Sequence, residues 1–117
     1  MQHERYFALA LKAAARDIVD VRTHAIGAVA IRADGALVTA RNGFDRSLNP
    51  SMHAEHRVMR KAGHNAIVYV ARHRKNGSAG LAKPCVNCMS TLRNKGAERV
   101  YYTIADNEFG CIQLNPR

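Results

Sequence analysis

Six consecutive apolar residues, 66–71, are the feature of this chain that most restricts its fold. A continuous apolar run of this length is typical of a strand that is buried on both faces of a sheet. The segments on either side, 52–62 and 84–95, have the boundaries of helices, because proline lies near each start and glycine follows each end. A buried strand between two helices predicts a layered α/β protein.

The remaining elements complete the order of the chain. Apolar residues recur every three or four positions within 4–20, which predicts an amphipathic helix. Two apolar runs, 25–31 and 36–40, flank an Asp-Gly pair and predict a β-hairpin. A strand is expected at 99–103 and a last edge strand at 110–114. This last strand should pair antiparallel, because the six residues before it are too few for a parallel crossover.

These elements predict a three-layer α/β/α sandwich with a mixed sheet of about five strands. A chain of 117 residues is long enough to bury a core, so we expect residues 1–117 to form a single domain. No stretch approaches the roughly 18 apolar residues of a membrane span. The N-terminus also lacks the apolar core of a signal peptide. We therefore expect an intracellular, cytoplasmic protein with no membrane partner.

Positive charge is concentrated in residues 56–97. The whole chain carries 18 Lys and Arg against 9 Asp and Glu, a net charge of +9. The 56–97 segment holds nine basic and no acidic residues, so it accounts for the whole excess. Such a segment suggests an anionic partner, either a nucleotide phosphate or a nucleic acid. The alternative is a solvated face that only aids solubility.

Possible metal ligands lie at the starts of the two helices beside the central strand. His53 is at the first start, and Cys85 and Cys88 form a C-x-x-C pair at the second. Both starts should emerge at one edge of the sheet, where an imidazole and two thiolates can meet. One nitrogen and two sulfur ligands suit zinc and leave a position open for water, and the positive helix ends favour thiolates. Glu55 is then free to face the open position as a proton carrier.

Each half of this pattern has other interpretations. His53 alone is an unremarkable surface or core histidine, and the cysteine pair alone suits half of a structural zinc site or a redox pair. A closed four-ligand site needs another ligand, and Cys111 is the only spare cysteine. We expect Cys111 to be an ordinary thiol on the last strand and His56 to point away from the metal. Three ligands with an adjacent carboxylate favour a catalytic zinc site.

The motifs H-A-E at 53–55 and P-C-V-N-C at 84–88 have the pattern H-x-E…P-C-x-x-C of zinc nucleobase deaminases. The sequence resembles the cytidine deaminase superfamily over nearly its whole length. The resemblance implies a single zinc-dependent deaminase domain in which His53, Cys85 and Cys88 hold the zinc. It also implies a homo-oligomer, since relatives assemble as dimers, tetramers or hexamers.

The resemblance further implies roles for residues around the metal. Glu55 would take a proton from the attacking water, pass it to the ring nitrogen of the base and help ammonia leave. The backbones of Ala54 and Cys85 would contact the base, and Pro84 is a further substrate-binding candidate beside them.

The segment 40–44 bears on which member of the superfamily this is. Its sequence A-R-N-G-F resembles the G-Y-N-G-F stretch of deoxycytidylate deaminases, with Ala40 and Arg41 as departures. In many relatives an asparagine at this place bonds the sugar hydroxyl, which makes Asn42 the substrate-binding candidate. The alternative is that Asn42-Gly43 only forms a turn.

The segment 40–44 and the expected antiparallel last strand both favour a free cytosine nucleotide or nucleoside as the substrate. An antiparallel last strand resembles the nucleoside deaminase branch, since nucleic-acid deaminases usually insert a helix there. The chain has no tryptophan and few aromatics for stacking on bases, Phe44 being the one loop aromatic. The alternatives are a deaminase acting on cytosine or adenine in single-stranded DNA or RNA, and a non-enzymatic zinc module that binds nucleic acid. The basic residues that suit one phosphate or a polynucleotide are Arg72, Arg74, Lys75 and Lys83.

Overall fold

Apart from one short strand, the elements follow one another in the order that the sequence predicts. The computed structural model describes residues 2–15, 25–41, 53–74 and 78–116. Within these ranges the elements are α1 (Gln2–Ala15), β1 (Ala25–Ile31), β2 (Leu37–Arg41), α2 (Ala54–Ala62), β3 (Ile67–His73), β4 (Ala79–Gly80), α3 (Val86–Asn94), β5 (Arg99–Ala105) and β6 (Glu108–Gln113). None of the described helices is long and apolar enough to cross a membrane.

The strands form one mixed sheet in the order β2-β1-β3-β5-β6, with β4 paired to β3. The hairpin β1–β2 is antiparallel, as predicted, and β1 also runs antiparallel to β3. Strands β3 and β5 are parallel, and β5 and β6 are antiparallel, which confirms the prediction for the last strand. Because α2 precedes β3 and α3 precedes β5, both helices start at the edge of the sheet where the two parallel strands end.

Helix α1 covers one face of the sheet. Its Phe7 and Ala10 pack with Val29 of β1 and with Tyr69 of β3. The contact with β1 is close enough to require glycine at position 27, because a Cβ atom there would lie 2.1 Å from the carbonyl oxygen of Ala10. This close packing of a helix on the sheet builds the first of the three layers.

Helices α2 and α3 cover the opposite face and enclose the larger core. Val58 of α2 and Leu92 of α3 are fully buried against the alternate residues of the strands, among them Val68, Val70 and Val100. The alternation of side chains along β3 assigns Val68 and Val70 to this face and Tyr69 to the face of α1. The three-layer sandwich and mixed sheet predicted from the sequence are therefore confirmed.

Some boundaries differ from the predictions. Helix α1 begins at Gln2, two residues earlier than expected, while 16–24 lie outside the described residues. Strand β4 was not predicted: its two residues lie in the supposed basic loop and pair with the end of β3, raising the strands from about five to six. Pro84 does not start α3, because Cys85 is the N-cap and the helix begins at Val86.

Candidate metal centre and active site

His53, Cys85 and Cys88 come together at the starts of α2 and α3. The Nδ1 atom of His53 lies 3.1 Å from Sγ of Cys88 and 3.8 Å from Sγ of Cys85. All three ligand atoms lie within 4.8 Å of one another. Tetrahedral zinc with bonds of about 2.1–2.3 Å separates its ligand atoms by about 3.4–3.8 Å. The spacing of the three side chains thus fits a single zinc ion.

Helix caps place the ligands. His53 and Cys85 are the N-cap residues of α2 and α3, and both have extended backbone conformations. The Sγ atom of Cys85 accepts a hydrogen bond of 3.5 Å from the backbone N–H of Cys88. An N-cap side chain normally satisfies one of the free N–H groups of the first turn, and here a sulfur takes that place. The C-x-x-C spacing therefore directs both sulfurs to one side of the helix start.

A buried threonine on β5 holds the segment that leads into Cys85. The Thr103 hydroxyl donates to the carbonyl of Gly80 at 2.6 Å and accepts from the backbone N–H of Arg72 at 3.2 Å. The backbone N–H of Ala82 donates to the carbonyl of Thr103 at 2.8 Å. These bonds tie β3, β4 and the chain before α3 to β5. Sequence analysis missed Thr103, because a single threonine in an apolar strand has no distinguishing pattern.

Glu55 lies in the first turn of α2 and is buried, with 4% of its surface exposed. Burial raises the pKa of its carboxyl, while its own backbone N–H, His53 and Cys88 lower it by smaller amounts. A buried carboxyl with a raised pKa takes up a proton more readily than a solvated carboxylate does, which suits it to accept and return one. Glu55 therefore has the environment of a general acid and base.

The Cys88 thiol is buried as well. Burial, and after it the Glu55 carboxyl, raise the pKa of Cys88, which opposes the lowering expected from a helix start. A bound divalent cation supplies the missing positive charge and deprotonates a coordinating thiol. The chemistry of this donor set, with two thiols beside a buried carboxyl, fits a resident cation.

Two other candidate residues lie apart from the metal ligands. The His56 side chain points at α3, where Nε2 shares a hydrogen bond of 2.9 Å with the hydroxyl of Thr91. This bond braces the two ligand-bearing helices, a role that sequence analysis did not assign. Cys111 is an exposed free thiol on β6, opposite Tyr101 of β5. Neither residue belongs to the His53, Cys85 and Cys88 group.

The predicted substrate-binding residues are described only in part. Ala54 is fully buried, and Pro84 is buried just before the exposed Cys85. Both therefore lie next to metal ligands, and their contacts with a base remain a prediction. Asn42 and Phe44 lie outside the described residues.

Two of the predicted basic residues, Arg72 and Arg74, lie together beside Gly80 of β4. A Cβ atom at Gly80 would come 3.0 Å from Cγ of Arg74 and 3.2 Å from Cδ of Arg72. The alternation along β3 places Arg72 on the same face as Val70, which is the face of α2 and α3. Lys83 is exposed on the segment before Cys85, and Lys75 lies outside the described residues.

The profile of the cytidine and deoxycytidylate deaminase zinc-binding region matches residues 1–104. This match covers most of the chain and includes His53, Cys85, Cys88 and Glu55. The chain belongs to this family. The family resemblance and the zinc cofactor, both predicted from two short motifs, are thereby confirmed.

Solved structures of this deaminase fold resemble the chain along most of its length. A cytidine deaminase from Burkholderia pseudomallei is 17% identical, with 97% of this chain and 94% of that chain covered and a TM-score of 0.76. The cytidine deaminase from Mycobacterium tuberculosis is 24% identical, with 91% and 89% covered and a TM-score of 0.65. A search of curated proteins found no match.

A structure from work on nucleic-acid deamination is also similar. It comes from studies of A-to-I editing by tRNA:A34 deaminases at the wobble position of transfer RNA. It is 27% identical, with 89% of this chain and 78% of that chain covered and a TM-score of 0.64. Similar structures of this deaminase family thus include proteins with different substrates.

Proposed function

We propose that this chain is a zinc-dependent hydrolytic deaminase that converts a free cytosine nucleotide or nucleoside to its uracil form and releases ammonia. The observation that carries the proposal is the buried carboxyl of Glu55 beside a group of three metal ligands. A purely structural zinc site has no use for a buried proton carrier. Three protein ligands also leave the fourth position open to water or substrate.

In this proposal His53, Cys85 and Cys88 hold the metal at the helix starts. When bound, zinc lowers the pKa of a water molecule toward neutrality and so supplies the nucleophile. The Glu55 carboxylate would accept one proton of a water molecule and deliver it to the ring nitrogen of the base, while the remaining hydroxide adds to the amino-bearing carbon. Glu55 would then move the proton of the new hydroxyl to the amino group, so that the carbon–nitrogen bond breaks, ammonia leaves and Glu55 is a carboxylate again.

The remaining candidates position the base and sugar. Ala54 and Cys85 present backbone groups next to the ligands, and Pro84 fixes the chain where it enters α3. The resemblance to deoxycytidylate deaminases supports contact between Asn42 and the sugar hydroxyl. We also propose that the whole chain, 1–117, acts as one deaminase domain that self-associates.

Two structural features favour a free substrate over a polynucleotide. The antiparallel strands β5 and β6 are joined through Asp106 and Asn107, which leaves no room for an inserted helix. Among the described residues, an aromatic cluster packs on the α1 face of the sheet, opposite the metal ligands. It therefore offers no stacking platform at the metal centre. Its members are His3, Tyr6, Phe7, Tyr69, Tyr101 and Phe109.

The second candidate function is deamination of a base in single-stranded nucleic acid. Its support is the 27% identity with the structure from work on tRNA:A34 deaminases, together with the basic 56–97 segment. Both candidate functions use the same metal ligands and the same Glu55, so the proposed site does not distinguish them.

A deamination assay over one substrate panel separates the two functions. Zinc-loaded protein would be given cytidine, deoxycytidine, deoxycytidylate and single-stranded oligonucleotides that contain cytosine or adenine, with ammonia release as the readout. We expect faster turnover of a free cytosine compound than of any oligonucleotide. Turnover of an oligonucleotide alone would support the second function, and no turnover of any substrate would contradict both.

A further inference from the structure

A basic cavity lies at the β2 edge of the sheet. It has a volume of about 300 Å³ and is bounded by β2, α2 and the end of α1, and the described residues that line it include four basic and no acidic side chains. We call this site the edge cavity; its basic residues are Arg41, Arg57, Arg60 and Lys61. None of the metal-centre residues lines it, so it is a separate site.

Two of these cations are held in place by neutral partners. The Arg57 guanidinium donates to the carbonyl of Arg41 at 3.1 Å, and the Lys61 ammonium donates to the carbonyl of Thr39 at 2.8 Å. Because β2 is at the edge of the sheet, these alternate carbonyls face outward and accept bonds from α2. A carbonyl fixes the position of a cation without neutralising its charge.

The anchored cations keep donors for a ligand. An arginine carries five N–H donors and a lysine ammonium three, and each needs only one for its carbonyl. A planar guanidinium matches two oxygens of a phosphate, and an ammonium adds a point charge beside it. The two anchored positive charges of Arg57 and Lys61 beside one cavity attract an anion.

We propose that the edge cavity binds a phosphate group carried by a nucleotide or by a polynucleotide. Arg41, which lines the cavity, directly precedes the candidate sugar-binding residue Asn42 in sequence. A volume of about 300 Å³ is at the small end for ligand sites and suits a phosphate with part of its carrier. The nature of the carrier rests on the proposed function, whereas phosphate binding rests on the cavity alone.

The test measures binding by calorimetry at low salt, with inorganic phosphate, cytidine 5′-monophosphate and cytidine as probes. The double variant R57Q/K61Q removes two charges but keeps an amide N–H for each carbonyl. The matched control, R93Q/K95Q, removes two charges from exposed residues at the end of α3. A charge-keeping variant, R57K/K61R, tests the fold without loss of charge.

We expect both phosphate-bearing probes to bind the wild type and to bind R57Q/K61Q at least about tenfold more weakly. The control and R57K/K61R should stay within about threefold of the wild type, and cytidine affinity should be the same in all four proteins. Equal weakening in R57Q/K61Q and the control would overturn the proposal, as would no phosphate binding by the wild type. If R57Q/K61Q fails to fold, the single variant K61Q against K95Q makes the same comparison.

A short single-stranded oligonucleotide distinguishes the two carriers. A polynucleotide carrier predicts tighter binding of the oligonucleotide than of the monophosphate and a salt dependence that becomes less steep in R57Q/K61Q. If the carrier is a free nucleotide, the oligonucleotide should bind no more tightly than the monophosphate. Because binding is measured without turnover, a protein that binds phosphate but deaminates nothing contradicts only the proposed function.

Discussion

Nδ1 of His53 lies 3.1 Å from Sγ of Cys88, although the two residues are 35 positions apart and on different helices. The contact exists because both helices start at the same edge of the sheet, where β3 and β5 end in parallel. Topology therefore builds the ligand group, and neither helix supplies it alone.

This arrangement predicts how zinc content depends on the cysteines. The C85A/C88A double variant leaves a single imidazole, so we expect zinc to fall from about one ion per chain to near zero. Elemental analysis of purified protein measures this. C111A is the matched control, since Cys111 is an exposed thiol outside the ligand group, and it should keep its zinc. Full zinc occupancy in the double variant would refute the assignment of the ligands.

Thr103 is predicted to stabilise the segment before the metal ligands. Valine at this position keeps the shape of the side chain but leaves the backbone groups of Arg72 and Gly80 without their partner. The loss should lower the free energy of unfolding by about 1–3 kcal/mol, as measured by denaturant titration. T103S keeps the hydroxyl, so its free energy of unfolding should fall by less than that of T103V. Equal stability of T103V and the wild type would show that these bonds contribute little.

Tyr69 is predicted to make the fold sensitive to alkali. Burial, followed by the nearby Tyr101, raises the pKa of the Tyr69 phenol from 10.0 to about 12. Since the folded state favours the neutral phenol, this stabilising contribution is complete below pH 10 and is lost as the pH rises from 10 to 12. Thermal unfolding across this range should show a smaller loss in Y69F than in the wild type. Y102F is the control, and identical alkaline losses in all three proteins would contradict the expectation.

Self-association is predicted to cover apolar side chains beside the metal centre. Val86 is 85% exposed and Leu81 is 54% exposed, and they lie on either side of Cys85 in the chain. Burial of such side chains against a second copy is favourable. Light scattering at micromolar concentration should show an oligomer, and L81S/V86S should shift it toward the monomer. A monomeric wild type with full activity would contradict this prediction.

The order of the elements could be predicted from local patterns. The apolar run of β3, the Asp-Gly pair between β1 and β2, and the short connection to β6 each restrict the backbone on their own. Such patterns depend only on residues that are close in sequence, so they can be recognised without knowledge of the tertiary structure. The meeting of His53, Cys85 and Cys88 could be predicted for the same reason, because their two motifs are short and lie at helix starts.

Contacts between distant segments could not be predicted. Strand β4 forms because Arg72 pairs with Gly80 and His73 pairs with Ala79. The start of α3 was placed at Pro84 from the usual preference of proline for the first turn, but the sulfur of Cys85 caps the helix instead. The bond from His56 to Thr91 and the edge cavity likewise join elements that are separate in sequence.

The most direct test of the account is the rate of deamination by zinc-loaded E55Q beside the wild type. Glutamine has nearly the shape of Glu55 but carries no proton between water and base. We predict a loss in kcat of at least about 100-fold on the best cytosine substrate, with zinc content and unfolding midpoint retained. E108Q, at an exposed glutamate on β6, should match the wild type. An E55Q rate within tenfold of the wild type would contradict the assignment of Glu55 as the proton carrier.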